Sequence, residues 1–410
     1  LSSMIFNSET SPVPPLRRDV QIIPVEEEGE GLLLFYDPMM ISTPGFALRN
    51  GAEPLLSLID GHKSIKQLTT FFKNGADSSG LLEFVQMLDQ NLLLNSPYFD
   101  QQFEKLEHQF EVSDLREPVL TGTSYPEDSK ELKSFLDLMM NDATVSVDGV
   151  SGSRKALYAP HIDLRVGEKQ YTEAFSSLKN VRPTRVVILA TSHYSGYHPE
   201  LYDGYPYIGS SKSYALPGRT FKTDQAYLER LSAMGDKIGF TIRDRAHRIE
   251  HSIETHLLFA SHIWTHDFEV VPILVAGLDE LFYSDDGDMS QKVTAFSREL
   301  AGLDTEDTFY LISGDLSHVG KKFGDPVPAD KLRANVEEFD REFLNSAVEN
   351  DAGKMLSQIA REYDPYRICG FPPLYTFLKS FPGLKGKRLN YHWWDEKERE
   401  SAVSFGSIIY

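Results

Sequence analysis

Residues 250–256 read EHSIETH, placing two histidines and two glutamates within seven positions. A protease-type zinc helix carries its histidines at i and i+4, on one face. His251 and His256 are five apart, about 140° around a helix, so one helix cannot bring both to one metal. Metal chemistry in this chain must therefore draw on other segments. The run ALYAP leads into His161, RVVILA into His193, and TFYLIS into Asp315 and His318. His251 follows IRDRAHRI, and Cys369 stands in RICGFPP at the start of a late helix. Imidazoles with a thiol or carboxylate suit a transition metal: imidazole takes Fe, Cu or Zn, and a thiolate shifts preference towards Cu(I) or Zn. Two histidines and a third ligand leave positions open for oxygen or substrate. A further histidine, titrating near neutrality, supplies acid/base chemistry. A lone histidine at a strand end is more often a hydrogen-bonded loop residue, and a lone cysteine a small buried hydrophobe. The recurrence on successive strand ends is what carries the argument. His198, His247, His256, His262 and His266 lack that placement and read as packing or surface residues. Glu250 and Glu254, four apart, read as charges at a helix N-terminus paired with Arg245 or Arg248.

The elements that position these residues can be read from patterning. The runs at 156–160, 185–190, 270–277 and 308–314 are short, rich in β-branched residues and bounded by turn residues, which predicts buried central strands. Helical patterns lie between or after them at 129–140, 169–179, 223–234, 250–263, 289–300 and 330–347. This alternation predicts an α/β domain with a central, mainly parallel sheet flanked by helices. Ligand sites in open sheets of this kind lie beyond the carboxyl ends of the strands, where the histidines fall. The first 98 residues have a different texture. Residues 1–20 are polar and extended, 31–36 (GLLLFY) and 45–48 read as strands, and 53–60 as a short helix. Ser64 is placed to cap a helix in GHKSIKQL, and 79–95 forms an amphipathic helix through Leu82, Val85, Leu88 and Leu92. A small winged-helix-like domain over 1–98, a charged helical connector over 99–114 and the α/β domain over 115–410 follow.

Composition bounds the function. The 410 residues carry a net charge of -20, which disfavours nucleic acid or an anionic membrane as partner. The single cysteine allows no internal disulfide and fits a cytoplasmic location. No apolar run approaches the ~18 residues of a membrane span. No P-loop, dinucleotide fingerprint, nucleophile elbow or C-x-x-C pair is present, so nucleotide binding, α/β-hydrolase chemistry and cysteine-ligated clusters lose their usual signatures.

Residues 115–410 resemble the Memo family, called AmmeMemoRadiSam system protein B in bacteria. LREPVLTGTSYPEDSKEL looks like its opening, APHIDLRVG occupies the place of its PHAGY-type motif, and ATSHYSG that of its SH motif. YALPGRTFKTD, RIEHSIETHLLF, ISGDLSHVGKKFG, RICGFPPLYTFL and VSFGSIIY follow in order. The resemblance implies the fold of class III extradiol dioxygenases, with metal ligands His161, His193 and Cys369. It implies a substrate-side His251, and an acid/base His318 oriented by Asp315. Fe(II) or Cu is the implied metal, with Zn also compatible. The implied function is a metal-dependent, dioxygenase-like oxidoreductase acting on a small substrate beside a radical-SAM partner. A peptide-binding adaptor with a vestigial site and a zinc hydrolase are the alternative readings. Ile162-Asp163-Leu164 departs from the family's Ala-Gly-Tyr, and Asp163 is expected to bind the metal or to accept a hydrogen bond from His161. Residues 15–98 more weakly resemble the PqqD-like peptide-recognition domain, which implies a peptide partner for that module.

Overall fold

The computed structural model describes residues 5–27, 29–72, 77–140 and 154–410. The first four residues of the expected extended N-terminus lie outside that set. The chain divides into two compact units, Leu1–Val112 and Ser113–Tyr410.

The first unit holds a three-stranded antiparallel sheet, Gln21–Glu27, Glu30–Tyr36 and Ala47–Arg49, with helices Ile65–Thr69, Ser78–Gln90 and Pro97–Glu111. Leu33, Phe35, Leu56, Ile65, Leu68, Val85 and Leu88 form its core. Ser64 caps the helix Ile65–Thr69 in a capping box with Gln67, as its position predicts. The amphipathic helix ends at Gln90 rather than 95, because Leu92 turns left-handed at φ 61° and directs Leu93 and Leu94 into the core. Residues 100–114 are mostly helix, within Pro97–Glu111, and Ser96 caps it.

The second unit is built on a nine-stranded sheet. Its centre is four parallel strands in the spatial order Glu269–Val275, Arg185–Thr191, Thr308–Ser313, Ala156–Ala159. Five of those strands' apolar residues, Val270, Val271, Ile273, Leu274 and Val275, are fully or almost fully buried in one strand alone. At about 1.5–3 kcal/mol each, such burial fixes the register of the centre. Antiparallel pairs flank the centre: Tyr207–Gly209 pairs with Glu269–Val275, and Ser401–Ile409 pairs with Ala156–Ala159, Lys387–Glu396 and His318–Gly320, while the edge strand Phe240–Thr241 runs parallel to Tyr207–Gly209. Helices include Ser129–Met140, Leu164–Ser176, Ser252–Ile263, Asp288–Gly302 and Ala329–Glu349. The second of these starts five residues before the predicted 169 because Asp163 caps it. Among the described residues no helix is long and apolar enough to cross a membrane.

Candidate metal centre

Strand order explains why distant residues meet. Thr308–Ser313 lies between Ala156–Ala159 and Arg185–Thr191, so the carboxyl ends of three neighbouring strands deliver His161, Asp315 and His193 to one place. His251 is the N-cap residue of helix Ser252–Ile263. The His161 ring centroid lies 4.8 Å from that of His193 and 5.3 Å from that of His251, and the latter two rings stack at 4.9 Å. Cys369 enters from the loop before helix Phe371–Ser380, its Sγ 3.6 Å from His161 Nε2. Two glycines permit that approach. A Cβ on Gly314 would fall on the Gly370 backbone, and one on Gly370 would strike the Tyr158 hydroxyl and the Asp315 carbonyl. Gly370 N–H donates to the Asp315 carbonyl at 2.9 Å, and Asp315 N–H to Cys369 Sγ at 3.3 Å.

Hydrogen bonds behind the rings decide which nitrogens face the centre. Ser313 Oγ donates its single proton to the Ser252 carbonyl at 2.8 Å. Its 3.1 Å contact with His161 Nδ1 must then be an Nδ1–H donation from the imidazole. His161 Nε2 is left with a bare lone pair, facing Cys369 Sγ and, at 3.7 Å, Asp315 Oδ2. His193 Nδ1 lies 2.9 Å from Glu250 Oε1, and Glu250 Oε2 accepts the His193 backbone N–H at 2.7 Å. A carboxylate behind an imidazole is the usual arrangement for a metal-binding histidine, since it turns the other nitrogen towards the ion.

Electrostatics sets the charge that each group carries in the metal-free protein. Burial, reinforced by the neighbouring histidines, holds His161 well below its usual pKa and so neutral. Burial also opposes charging His193, but the charge of Glu250 and hydrogen bonds with Glu250 and Cys369 prevail and raise it well above the usual value. The Glu250 carboxylate is lowered to about 2; burial opposes this, and His193 outweighs burial. Burial pushes the Cys369 thiol up, against the pull of His193. Burial raises Asp315 to about 7, partly offset by the His161 N–H donated to its Oδ1 at 3.0 Å. His251 and His318 are each held at about 4, chiefly by burial.

The donors fit a transition metal. His161, His193 and His251 offer ligand atoms within 4.8 Å of one another, and so do His161, Asp315 and Cys369. His161 belongs to both sets. A mixed nitrogen, sulfur and oxygen set of this kind suits Fe, Cu or Zn and is too soft for Mg or Ca.

Three expectations change. Asp315 does not pair with His318. Its carboxylate serves the His161 backbone, while His318 Nδ1 lies 3.0 Å from the carbonyls of both Leu316 and Arg367. Asp163 turns from the centre to cap helix Leu164–Ser176 and to pair with Arg165 at 2.6 Å. Glu250 and Glu254, expected to pair with Arg245 or Arg248, are both buried, the first on His193, the second on Arg116. His198, His247 and His256 are buried, as packing residues should be. His256 Nε2 also reaches the carbonyls of Ala159 and Pro160, at 3.2 and 3.0 Å, and so steadies the strand end that carries His161. Glu250, Ser313 and Thr191, whose hydroxyl donates to the Cys369 carbonyl at 2.7 Å, carried no functional signal in the sequence. Only the adjacency of Glu250 to His251 hinted at the first of them.

Comparison with known proteins identifies relatives of the chain. The family model described as Memo-like protein matches residues 116–409. A MEMO1 family protein of Aquifex aeolicus is 28% identical over 381 residues, covering 91% of this chain and 94% of its own. Since the family match begins at 116, that alignment takes in much of the first unit as well. A MEMO1 family protein of Thermus thermophilus is 25% identical over 294 residues, 71% of this chain and 81% of its own. One of Pyrococcus furiosus is 26% identical over 307 residues, 72% of this chain and 98% of its own. With the family model covering nearly all of the second unit, the chain belongs to the Memo-like protein family.

Proposed function

We propose that the second unit is a metal-dependent redox protein, dioxygenase-like in its site, that acts on a small substrate. His161, His193 and Cys369 would hold the metal. The observation that carries the reading is the bare lone pair of His161 Nε2, forced by the Ser313 relay, facing the Cys369 thiol at 3.6 Å. An iron or copper ion bound there would supply Lewis acidity and one-electron redox chemistry next to open coordination positions. A radical-SAM partner and a peptide ligand for the first unit are part of the same proposal, supported by the family resemblance.

The chain's own groups then have assignable work. Glu250 fixes the His193 ring by accepting from Nδ1. His251 is neutral at pH 7 and a third of its side chain reaches solvent, so it can accept a proton or a hydrogen bond from a ligand entering over His193. His318 directs Nδ1–H at the Leu316 and Arg367 carbonyls, which leaves Nε2 as its acceptor. Asp315, titrating near 7, is about half protonated at neutrality; Oδ1 is engaged by His161 N–H, so Oδ2 is the oxygen free to carry that proton.

Metal analysis of anaerobically purified protein tests the proposal. Stoichiometric Fe or Cu with oxygen uptake on substrate screening supports it. Zinc with ester hydrolysis and no oxygen uptake replaces it with the hydrolase reading.

A further inference from the structure

The segment before helix Ser252–Ile263 sets where Glu250 and His251 point, and one fully buried arginine holds that segment at three places. Arg116 Nε donates to the His247 carbonyl at 3.1 Å, Nη2 donates to the Glu250 carbonyl, and Nη1 pairs with Glu254 Oε2. Glu254 also collects the Val119 and Leu120 N–H groups at 2.8 and 2.9 Å and the Tyr125 hydroxyl at 2.6 Å. The far side of the same segment is pinned too. His247 Nε2 donates to the Ile208 carbonyl at 2.9 Å, and Tyr214 OH, whose ring lies 5.5 Å from the guanidinium, donates to Nδ1 at 2.5 Å. Residues 247, 250 and 254 are thus tied to the start of the second unit, around Arg116.

We infer that Arg116 is a positioning residue for the metal centre: by gripping residues 247–254 it holds the Glu250 carboxylate on His193 Nδ1 and so aims His193 Nε2 into the site. The Glu250 side chain makes two bonds to residue 193 and one, at 3.1 Å, to Ser252 N–H. A rotation of its backbone would break all three together. Lysine cannot replace the arginine. The three acceptors diverge, and a guanidinium reaches them with separate N–H groups in a rigid plane, where an ammonium is one point. The metal-centre reading enters only through one of the two readouts below.

The experiment compares metal-free wild type with Arg116→Lys, both labelled with 15N-histidine. The His193 Nδ1–H proton is held downfield by Glu250 and is assigned by its loss in Glu250→Gln. In Arg116→Lys this resonance is expected to disappear or move upfield in a folded protein, and Co(II) affinity to fall about 10- to 100-fold, as for other changes behind a metal ligand. A folded Arg116→Lys with the wild-type resonance and wild-type Co(II) affinity overturns the inference. If that variant does not fold, Glu254→Gln, which keeps the volume and removes one grip, carries the same expectations and the same refutation. If wild type takes up no Co(II), the metal reading fails and the Nδ1–H resonance alone decides this one.

Discussion

Each unit buries an arginine against a carboxylate, and the two centres are chemically alike. In the first, Arg17 makes two bonds to Asp37, at 2.9 and 3.0 Å, and Asp37 gathers the N–H groups of Met39, Ile41 and Ser42. In the second, Arg116 pairs with Glu254, which gathers Val119 and Leu120. Both tie a distant segment to a turn. The first ends there: Arg17 also takes the Leu92 carbonyl, the left-handed residue that stops a helix, and the result is a closed core. The second continues through the Glu250 carbonyl to His193 and the ring of donors around His161. The difference teaches that a buried ion pair is not itself a functional signal. Its meaning depends on what the clamped backbone presents next.

Arg17→Met and Arg116→Met should break the comparison open most widely. Each leaves a buried carboxylate without its cation, a change worth about 3–5 kcal/mol. The chain's three tryptophans, Trp264, Trp393 and Trp394, all lie in the second unit, so denaturant unfolding followed by tryptophan fluorescence should register Arg116→Met and miss Arg17→Met. Equal shifts from both would mean that the units do not unfold separately.

Acid should separate the units next. Burial holds His247, His251, His256 and His318 at about 4. A histidine depressed below its unfolded value contributes stability that is complete above about 6.5 and is lost as pH falls towards 4, up to about 3 kcal/mol each. His161, held well below its usual value, adds to this loss. Asp315 at about 7 and Asp340 at about 6, with Asp244 and Asp364 raised in the same direction, gain stability over the same fall and offset part of it. In the first unit, Asp37 lies below its usual value: burial opposes this, and the Arg17 hydrogen bond prevails. Its contribution is lost only as pH drops below about 4. The tryptophan-reported midpoint of metal-free protein should therefore fall between pH 6.5 and 4.5, while a 19F label at Phe35 in the first core stays flat. A first unit that loosens earlier would contradict the assignment.

Packing around Cys369 offers a smaller effect. Gly314→Ala should cost about 1–3 kcal/mol, because the added methyl meets the Gly370 backbone and pushes the Cys369 loop from His161. Weakened metal uptake should accompany the lowered midpoint; a lowered midpoint with unchanged uptake would remove Cys369 from the ligand set. Smallest are the caps. Ser64→Ala in the first unit and Asp163→Ala in the second should each cost about 1 kcal/mol. Neither should alter metal content, and a loss of metal in Asp163→Ala would restore that carboxylate to the site.

Sequence patterning located much of this and stopped at a definable point. ALYAP, RVVILA and TFYLIS are buried strands, and His161, His193 and Asp315 follow their carboxyl ends because parallel strands, read by period and length, place their successors on one edge. Ser64 was legible as a cap because capping is local. Glu250 was not, since its partner is 57 residues away and its helical spacing to Glu254 suggested a helix-terminal charge paired with a nearby arginine. Arg116 lies 138 residues from Glu254, and nothing local marks it as buried. Asp163 misled for the opposite reason: a carboxylate two residues from a ligand looks chemical, and a helix start claimed it. What periodicity cannot reach is the long-range hydrogen bond that aims a ring.

The account's central claim is tested most directly by the metal content of anaerobically purified wild type, His161→Ala and Cys369→Ser, measured by ICP-MS. The account predicts stoichiometric Fe or Cu in wild type, lost from His161→Ala and lost or much reduced in Cys369→Ser, with all three folded by tryptophan fluorescence. Wild type without metal after Fe(II) and Cu(I) reconstitution, or His161→Ala retaining its full complement, would contradict it.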